Sequence, residues 1–268
     1  MACRGVDDGS GTVRDRVRMN GTTRVAVAGG TGTVGRFVVQ ALLRDGHDVV
    51  VLTRSTGVDL VSGAGLAGAL TGVDAVVDAS SVQTQSARES ERFFGTVTRN
   101  LLDAESRAGV RHHVTLGIVG SDRASHGYYA GKAVQERLVE EGAVPWTILR
   151  ATQFHEFARQ VHGQVRLGPV VLVPVMRSRP VAARTVGDRL ARLAVADPAG
   201  RVPDLAGPRE ERLPDLVRSL AAATGLPGRV VAVPLPGGFG RALRDGTILP
   251  GRDAVIDGPT FDEWLRGG

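Results

Sequence analysis

The feature that most constrains this chain is a strand, a glycine turn and a helix that follow one another near residue 30. Small and β-branched residues from Val25 to Ala28 predict a buried strand of a parallel sheet. Gly29, Gly32 and Gly35 follow at a spacing of three, and from Val34 onwards the apolar residues recur at helical spacing. This order is typical of a dinucleotide site, because glycines let the backbone approach a pyrophosphate whose charge then lies at a helix N-terminus.

The turn therefore supplies the first group of predicted cofactor contacts. They are Gly29, Thr31, Gly32, Thr33, Val34 and Gly35.

Length and composition predict one large α/β protein with a preceding tail. The 268 residues are 42% hydrophobic, which is enough for a full core. Residues 1–21 are polar and glycine-rich, so we predict a disordered tail there, with Met19 as an alternative to Met1 as the native start. We expect a dinucleotide-binding core over residues 22–150. Residues 151–268 are expected to form a substrate-binding lobe with elements that return to the core.

Several classes of partner and location are disfavoured by the same composition. The net charge is +5, but the basic residues are scattered and aromatic residues make up only 4%, which disfavours nucleic acid. We found no uncharged run as long as a membrane span and no apolar secretory segment. The only cysteine is Cys3, so an intrachain disulfide is excluded. We expect a cytoplasmic monomer or homodimer that binds a small molecule.

No metal is expected, because the histidines lack convincing metal-ligand spacing. The histidines considered are His112, His113, His155 and His162.

The end of the second predicted strand, residues 48–53, indicates which dinucleotide is preferred. Folds that prefer NAD place an acidic residue there, about 20 residues past the glycines, to bind the ribose 2′-hydroxyl. This chain has Arg54 followed by Ser55 instead. An arginine with a hydroxyl neighbour suits a 2′-phosphate, so we predict NADPH in preference to NADH.

Two further residues are expected near the adenine and ribose. Asp59 follows the second strand, and Ser80 lies within Ala79-Ser80-Ser81 at the carboxyl end of the strand predicted over residues 73–78. Ligands of open parallel sheets gather at this edge.

The predicted chemistry lies on a helix that begins near Tyr128. Tyr128 and Lys132 are four residues apart and share one helix face. A neighbouring ammonium is expected to lower the pKa of a phenol, which makes Tyr128 the candidate acid that protonates a carbonyl oxygen as hydride arrives at carbon. Tyr129, three residues before the lysine, is the rival candidate.

Lys132 is conspicuous because the chain contains 32 arginines and no other lysine. A compact ammonium on a flexible stem has properties that the arginine fork does not reproduce. The retention of a lysine at this one position therefore supports a functional role.

A mixed polar and aromatic stretch follows the strand predicted over residues 144–150. Gln153, Phe154 and His155 lie at the exit of that strand, where a substrate wall is expected. We predict that these three residues contact the substrate.

With these residues identified, the chain resembles the short-chain dehydrogenase/reductase superfamily. Within it, the likeness is greatest to the atypical, extended-type NAD(P)H-binding proteins related to NmrA. The resemblance spans about residues 24–265, and its most specific parts are Gly29–Gly35, Tyr128–Lys132 and Trp146–Phe157. It implies a Rossmann-type doubly wound parallel sheet with a smaller C-terminal α/β substrate lobe.

The resemblance also implies roles for individual residues. Leu60, with Asp59, would lie beside the adenine, and Arg54 would recognise NADP. Tyr128 would be the acid, and Lys132 would also bind the nicotinamide ribose.

One position departs from the family pattern. The catalytic serine or threonine of the family is expected where this chain has Gly117, and Thr115 and Ser121 are the alternative hydroxyls nearby. Loss of that hydroxyl would remove a donor that polarises the substrate carbonyl.

Three functions are consistent with these residues. The first is an NADPH-dependent reductase of a small organic carbonyl or quinone-like substrate, in specialised metabolism. The second is a non-catalytic NmrA-like NADP(H) sensor that binds a protein partner. The third is an epimerase or dehydratase that retains its cofactor. Tyr128 with Lys132 favours an enzyme, whereas Gly117 favours the sensor.

Overall fold

The structure is a computed structural model that describes residues 21–124 and 126–267. Apart from Gly21, the predicted tail with Cys3 and Met19 lies outside the described residues. The strands in chain order are β1 (Arg24–Ala28), β2 (Asp48–Leu52), β3 (Ala75–Asp78), β4 (His112–Ile118), β5 (Trp146–Ala151), β6 (Arg166–Leu167), β7 (Val170–Pro174), β8 (Arg177–Ser178), β9 (Gly200–Arg201), β10 (Leu205–Ala206), β11 (Glu211–Arg212), β12 (Arg229–Val233) and β13 (Val255–Ile256).

The helices alternate with the first five strands, and this regular alternation is lost after β5. They are α1 (Gly35–Arg44), α2 (Leu66–Ala69), α3 (Ala87–Ala108), α4 (Tyr128–Glu141), α5 (Phe157–Gln164), α6 (Ala183–Ala194), α7 (Leu213–Thr224), α8 (Gly237–Asp245) and α9 (Phe261–Gly267). A 3-10 turn over Arg54–Thr56 follows β2.

The main sheet is parallel and has the order β13-β10-β5-β4-β3-β1-β2, with β9 paired to β5. The chain moves from β1 to β2 on one side and then crosses back to β3 on the other side. A crevice therefore opens above the carboxyl ends of β1 and β3, which is the place where ligands bind in folds of this topology. The predicted doubly wound α/β fold is confirmed.

Helices cover both faces of the sheet, as buried parallel strands require. On one face α1 packs against α6, and their apolar residues share a core with β1, β4 and β5. On the other face α3 packs against α4 and α2. Val97 and Leu101 of α3 are fully buried in a second core beside β1 and β3.

The smaller C-terminal lobe predicted from the sequence is also confirmed. We use this name for α5, α7, α8 and α9 with the mixed sheet β12-β7-β6. Its apolar core includes Val173, Leu216, Leu220 and Phe261, and it also takes in Tyr129 from the start of α4. The lobe is therefore packed directly against the helix that carries the candidate acid.

Candidate functional site

The glycine turn between β1 and α1 packs tightly against the end of β3. Gly29 has φ +74° and its carbonyl accepts a 2.8 Å hydrogen bond from the Gly32 amide. A Cβ at Gly29 would lie 2.6 Å from the Ala79 carbonyl oxygen, and a Cβ at Gly35 would collide with the Gly29 carbonyl. Only glycine permits this approach, which brings the N-terminus of α1 to the crevice.

Ser80 supplies an unsatisfied polar group beside this turn. Its side chain is buried, and its Oγ has no hydrogen-bond partner among the described residues. Its Cα would lie 2.9 Å from a Cβ on Gly29. Buried hydroxyls are seldom left unpaired, so a crevice with a glycine turn and a free hydroxyl fits the polar phosphate and ribose groups of a dinucleotide.

The residues predicted to recognise the adenosine half lie at the end of β2. Arg54 and Ser55 are both exposed in the 3-10 turn, where the Ser55 Oγ is 2.9 Å from the Thr53 Oγ1. Asp59 accepts a hydrogen bond from the Val61 amide, which lowers the pKa of its carboxyl. Leu60 is partly buried against the core beneath this loop.

Tyr128 is the first residue of α4 and lies next to the exit of β3. Its hydroxyl is 3.1 Å from the Ser81 Oγ. The Phe94 ring packs edge-on against the Tyr128 ring, with the two centroids 5.4 Å apart, and the Ser90 hydroxyl donates to the Tyr128 carbonyl. Ser81 follows the Ala79-Ser80 segment that contacts Gly29, so the phenol hydroxyl and the glycine turn are adjacent to the same segment of chain.

The electrostatics of Tyr128 differ from the sequence-based expectation. Burial raises the pKa of Tyr128 to about 12, and the hydrogen bond with Ser81 opposes this rise. Lys132 was expected to lower that pKa through its charge. Its Nζ instead donates to the Leu116 carbonyl and the Gln135 Oε1, both at 2.8 Å.

Lys132 is the anchor of a buried hydrogen-bonded chain. Gln135 Nε2 donates to Asp78 at 2.7 Å, and the other Asp78 oxygen accepts the Ser80 amide at 2.9 Å. We call Lys132, Gln135 and Asp78 the crevice network, because it ties α4 to the end of β3. Burial lowers the pKa of Lys132 to about 8, and the charges of Asp78 and Glu136 oppose this shift.

Tyr129, the rival acid, points into the C-terminal lobe. Its hydroxyl accepts a 2.7 Å hydrogen bond from the Gln153 Nε2, and the Gln153 Oε1 accepts the Ser178 hydroxyl at 2.6 Å. We call Tyr129, Gln153 and Ser178 the lobe network. All three side chains are buried, so the predicted substrate contact Gln153 has its amide committed to packing the lobe.

The other two predicted substrate contacts are also packed against protein. Phe154 is partly buried on the main core and forms an isolated bridge with Val181. The His155 ring lies 5.3 Å from the Phe261 ring, and its Nε2 is 3.0 Å from the Pro259 carbonyl. Burial lowers the pKa of His155. The structure thus gives His155 a role in fixing the C-terminal helix.

Gly117 occupies a site that cannot accept a serine without rearrangement. A Cβ there would collide with the Glu136 carboxylate and lie 3.0 Å from the Arg150 side chain. Glu136 is held by Arg150 at 2.7 Å and by Arg201 at 2.9 Å. The absence of the family hydroxyl is therefore built into the packing of β4 against α4.

The two alternative hydroxyls near Gly117 are engaged elsewhere. The Thr115 Oγ1 is 2.7 Å from the His113 Nε2, whose ring also contacts Glu105. The Ser121 hydroxyl donates to Glu136 at 3.2 Å. The hydroxyl beside Tyr128 comes from Ser81, which lies on a different strand exit.

Sequence reasoning missed Ser81 and one aromatic pair. Ser81 lies in the same Ala79-Ser80-Ser81 segment as Ser80, the one residue of that segment predicted to contact the cofactor. The pair is His126, two residues before Tyr128, and Phe239 of α8. Their rings stack with centroids 5.7 Å apart. No pattern in the sequence predicts α8, so nothing in it indicated that Phe239 would lie near α4.

Two features are absent from the described residues. No group of three or more His, Cys, Asp or Glu side chains in that part of the chain could hold a metal ion. No helix there is long and apolar enough to cross a membrane.

Comparison with known proteins gives a domain assignment. Residues 56–169 match the family model described as NAD(P)H-binding. This range contains Ser81, Tyr128 and Lys132, whereas the glycine turn and Arg54 precede it. The chain thus carries an NAD(P)H-binding domain.

One curated relative matches part of the same chain. It is the photosystem II assembly factor Ycf39 of Synechocystis sp., 34% identical over 110 residues, which cover 36% of this chain and 34% of the relative. The match thus spans about a third of the length of that protein.

Solved structures share the fold across almost the whole chain. A short-chain dehydrogenase/reductase superfamily protein from Agrobacterium tumefaciens with bound NAD has a TM-score of 0.63 at 23% identity, covering 91% of this chain and 95% of its own. The NADPH-dependent quinone oxidoreductase QOR2 of Escherichia coli, complexed with NADPH, has a TM-score of 0.60 at 18% identity, covering 91% and 99%. The fold implied by the resemblance to the short-chain dehydrogenase/reductase superfamily is confirmed.

Proposed function

We propose that this chain, an NAD(P)H-binding protein with the short-chain dehydrogenase/reductase fold, is an NADPH-dependent reductase of a small organic carbonyl or quinone-like compound. The observation that carries the proposal is the position of the Tyr128 hydroxyl. It pairs with Ser81, one residue beyond Ser80, which itself packs against Gly29 of the glycine turn. A proton donor thus adjoins the crevice where a dinucleotide fits.

Distinct groups of this chain would hold NADPH. The turn from Gly29 to Gly35 would bind the pyrophosphate, and the free hydroxyl of Ser80 would bind a polar group of the adenosine half. The exposed Arg54 and Ser55 would bind the 2′-phosphate with charge-assisted hydrogen bonds. The bound nicotinamide would supply the hydride.

Tyr128 would supply the proton. Reduction of a carbonyl requires a hydride at carbon and a proton at oxygen, and a phenol with a pKa of about 12 is fully protonated at neutral pH. As the proton leaves the phenol for the substrate oxygen, the Ser81 hydroxyl would donate a hydrogen bond to the phenolate.

The aromatic pair of His126 and Phe239 would form one wall of the substrate site. These rings stack with an interplanar angle of 22°, and the Tyr129 amide donates to the His126 carbonyl. The Phe239 ring also meets the Tyr129 ring at 5.8 Å, which places this aromatic surface at the start of α4, and such a surface suits a flat, conjugated substrate. Quinone-like compounds have this shape, and QOR2 is named as a quinone oxidoreductase.

A second candidate function is favoured by Gly117. A protein that binds NADP(H) without catalysis has no need for a hydroxyl on β4, and the Glu136 carboxylate fills that space. The relative Ycf39 is named as an assembly factor rather than an enzyme. The alternative is therefore an NADP(H) sensor that binds a protein partner.

One experiment separates these two functions. Purified protein is titrated with NADPH, and NADPH oxidation is then followed with a panel of carbonyl and quinone compounds. The reductase proposal expects oxidation that is lost in Tyr128→Phe and kept in Tyr129→Phe. Tight NADPH binding without oxidation of any compound would favour the sensor instead, and activity lost only in Tyr129→Phe would transfer the role to Tyr129.

The cofactor preference has its own test. Arg54→Asp removes the proposed partner of the 2′-phosphate and places a carboxylate where the ribose hydroxyl of NADH would lie. We expect the ratio of NADPH to NADH affinity to fall by about 10- to 100-fold, as for the loss of a charge-assisted hydrogen bond. The control is Arg107→Asp on the exposed surface of α3. An unchanged ratio in Arg54→Asp would contradict the preference.

A further inference from the structure

We propose that Ser81 is the positioning residue of the candidate acid: it holds and orients the Tyr128 hydroxyl and donates a hydrogen bond to it as its proton leaves. This inference rests on the proposed reductase function and deepens it. It assigns to the exit of β3 the hydroxyl that the family pattern places on β4, where this chain has Gly117.

Ser81 and Tyr128 are in direct contact through their hydroxyls. The Ser81 Oγ and the Tyr128 hydroxyl are 3.1 Å apart, although 47 residues separate them in the chain. Either oxygen can donate, so the serine can accept from the neutral phenol and donate to the phenolate. Ser81 is exposed and Tyr128 is partly exposed, so a substrate oxygen has access to the pair.

The backbone before Ser81 is held in place. One Asp78 oxygen accepts a hydrogen bond from the Ser80 amide, and the other accepts one from the Gln135 side chain. Both Asp78 and Gln135 are fully buried. Gln135 also accepts a hydrogen bond from the Lys132 Nζ, which donates a second one to the Leu116 carbonyl of β4. The crevice network therefore connects β3, α4 and β4 directly behind the pair.

Tyr128 is also fixed from its other side. Its ring packs edge-on against Phe94, and its carbonyl accepts the buried Ser90 hydroxyl at 3.0 Å. The same Phe94 ring lies 4.4 Å from the Lys132 Nζ. With α3 behind the ring and Ser81 at the hydroxyl, the phenol has one defined orientation.

The competing hydroxyls near Gly117 have other partners. Thr115 contacts His113, and Ser121 donates to Glu136. A serine at Gly117 would need the Glu136 carboxylate to move, and two arginines of neighbouring strands hold that carboxylate. Ser81 is the hydroxyl that this packing leaves for Tyr128.

The consequence for the acid is a change in its ionisation. Burial raises the pKa of Tyr128, as does the charge of Asp78 to a smaller extent, and the Ser81 hydrogen bond counteracts that rise. A hydrogen bond from a neutral donor strengthens when its acceptor becomes charged. Loss of Ser81 should thus make Tyr128 a weaker acid and leave its hydroxyl without the partner that orients it, while the ring still packs against Phe94.

The test uses the fact that the chain contains only two tyrosines, Tyr128 and Tyr129. Both are replaced by 3,5-difluorotyrosine, whose phenol ionises at lower pH, and each is followed by fluorine NMR. The Tyr129→Phe variant assigns the two signals. The full-length protein is titrated in its folded state, with circular dichroism as the check of folding.

We expect Ser81→Ala to raise the titration midpoint of Tyr128 by about 1 pH unit or more, the size for loss of a hydrogen bond to a charged group. Ser81→Thr keeps the hydroxyl and should restore the midpoint. The Tyr129 signal is the internal control, since its partner is Gln153 and the charge of Tyr128 affects it only as a smaller cause, and its midpoint should move much less than that of Tyr128. A Tyr128 midpoint that is the same in Ser81→Ala and wild type would overturn the proposal, as would a shift that Ser81→Thr does not reverse.

Activity is measured separately, so that the two proposals fail in different ways. In the reductase assay we expect Ser81→Ala to lower kcat by about 10- to 100-fold with little change in KM, and Ser81→Thr to recover most of it. A wild type that oxidises no NADPH would overturn the proposed function, whatever the titration shows. An active wild type with an unaffected Ser81→Ala kcat would overturn the role of Ser81.

Discussion

Two adjacent tyrosines at the start of α4 belong to two different regions of the molecule. Tyr128 faces the crevice, where its hydroxyl meets Ser81, and the crevice network lies behind it. Tyr129 faces the C-terminal lobe, where its hydroxyl accepts a hydrogen bond from Gln153, which in turn accepts one from Ser178. The difference teaches that a hydroxyl held by an exposed partner remains available for chemistry, whereas the same group inside a buried network stabilises packing.

The largest expected effect comes from removing each hydroxyl in turn. Tyr128→Phe should lower kcat for NADPH oxidation by about 10²- to 10⁴-fold, the usual contribution of a general acid, with little loss of stability. Tyr129→Phe should leave turnover nearly unchanged but lower the free energy of unfolding by about 1 kcal/mol, because Gln153 loses a buried partner. Steady-state kinetics and urea unfolding on both variants check this contrast. Equal effects on kcat would remove the distinction between the two regions.

The next-largest expected effect is on stability, and it compares one residue of the crevice network with one residue of the lobe network. Lys132→Met leaves the Leu116 carbonyl and Gln135 without their buried donor, so we expect a loss of about 3 kcal/mol in unfolding free energy. Gln153→Leu, the matched change in the lobe network, leaves two hydroxyls unpaired and should cost about 2 kcal/mol. Only Lys132→Met should also weaken NADPH binding, since only the crevice network holds the Ser80 backbone. Calorimetric titration with NADPH measures this difference, and equal affinities in both variants would contradict it.

The smallest effect is a pH dependence of stability with opposite contributions from Lys132 and the two tyrosines. Lys132 has a folded pKa of about 8 against 10.5 unfolded, so the unfolded chain binds more protons between these values and stability rises with pH there. Tyr128 has a folded pKa of about 12 against 10.0, and burial raises the pKa of Tyr129 as well. The unfolded chain therefore loses the phenol protons first near pH 10 and above, and stability falls. We expect a net gain of about 1 kcal/mol from about pH 8 to 10 and a decline beyond it.

Urea unfolding across this pH range measures the curve. The Lys132→Met variant is the control, because it should lose the rise and keep the decline. A variant curve that runs parallel to that of the wild type would show that Lys132 does not cause the rise.

The predictions made from the sequence succeeded where the signal is local. The strand predicted from Val25 to Ala28 is observed over Arg24–Ala28, and α1 and α4 begin close to the predicted positions. Alternating and helical periodicities are set by neighbouring residues, so a single sequence carries them. By contrast, β10 and β13 have two residues each, and their place in the main sheet depends on partners that are distant in the chain.

The same reasoning explains which parts of the candidate site were missed. Ser81 meets Tyr128 across 47 residues, so no spacing rule connects them. The expected effect of Lys132 on Tyr128 assumed that helical neighbours interact, but the ammonium finds better acceptors on β4 and on the next turn of α4. Gln153 and His155 were placed correctly at a strand exit, yet the lobe that covers them could not be read from their own residues.

The burial of Lys132 gives the protein an unusual chemical surface. The chain has no second lysine, and this one is 3% exposed beneath α3 and β4. Acylating reagents therefore have no side-chain amine to modify while the described fold stays closed. Each modification of Lys132 would record an opening of α4 that brings the amine into contact with solvent. The rate of acylation at Lys132, measured by mass spectrometry of the peptide that contains it, thus reports local unfolding of this helix.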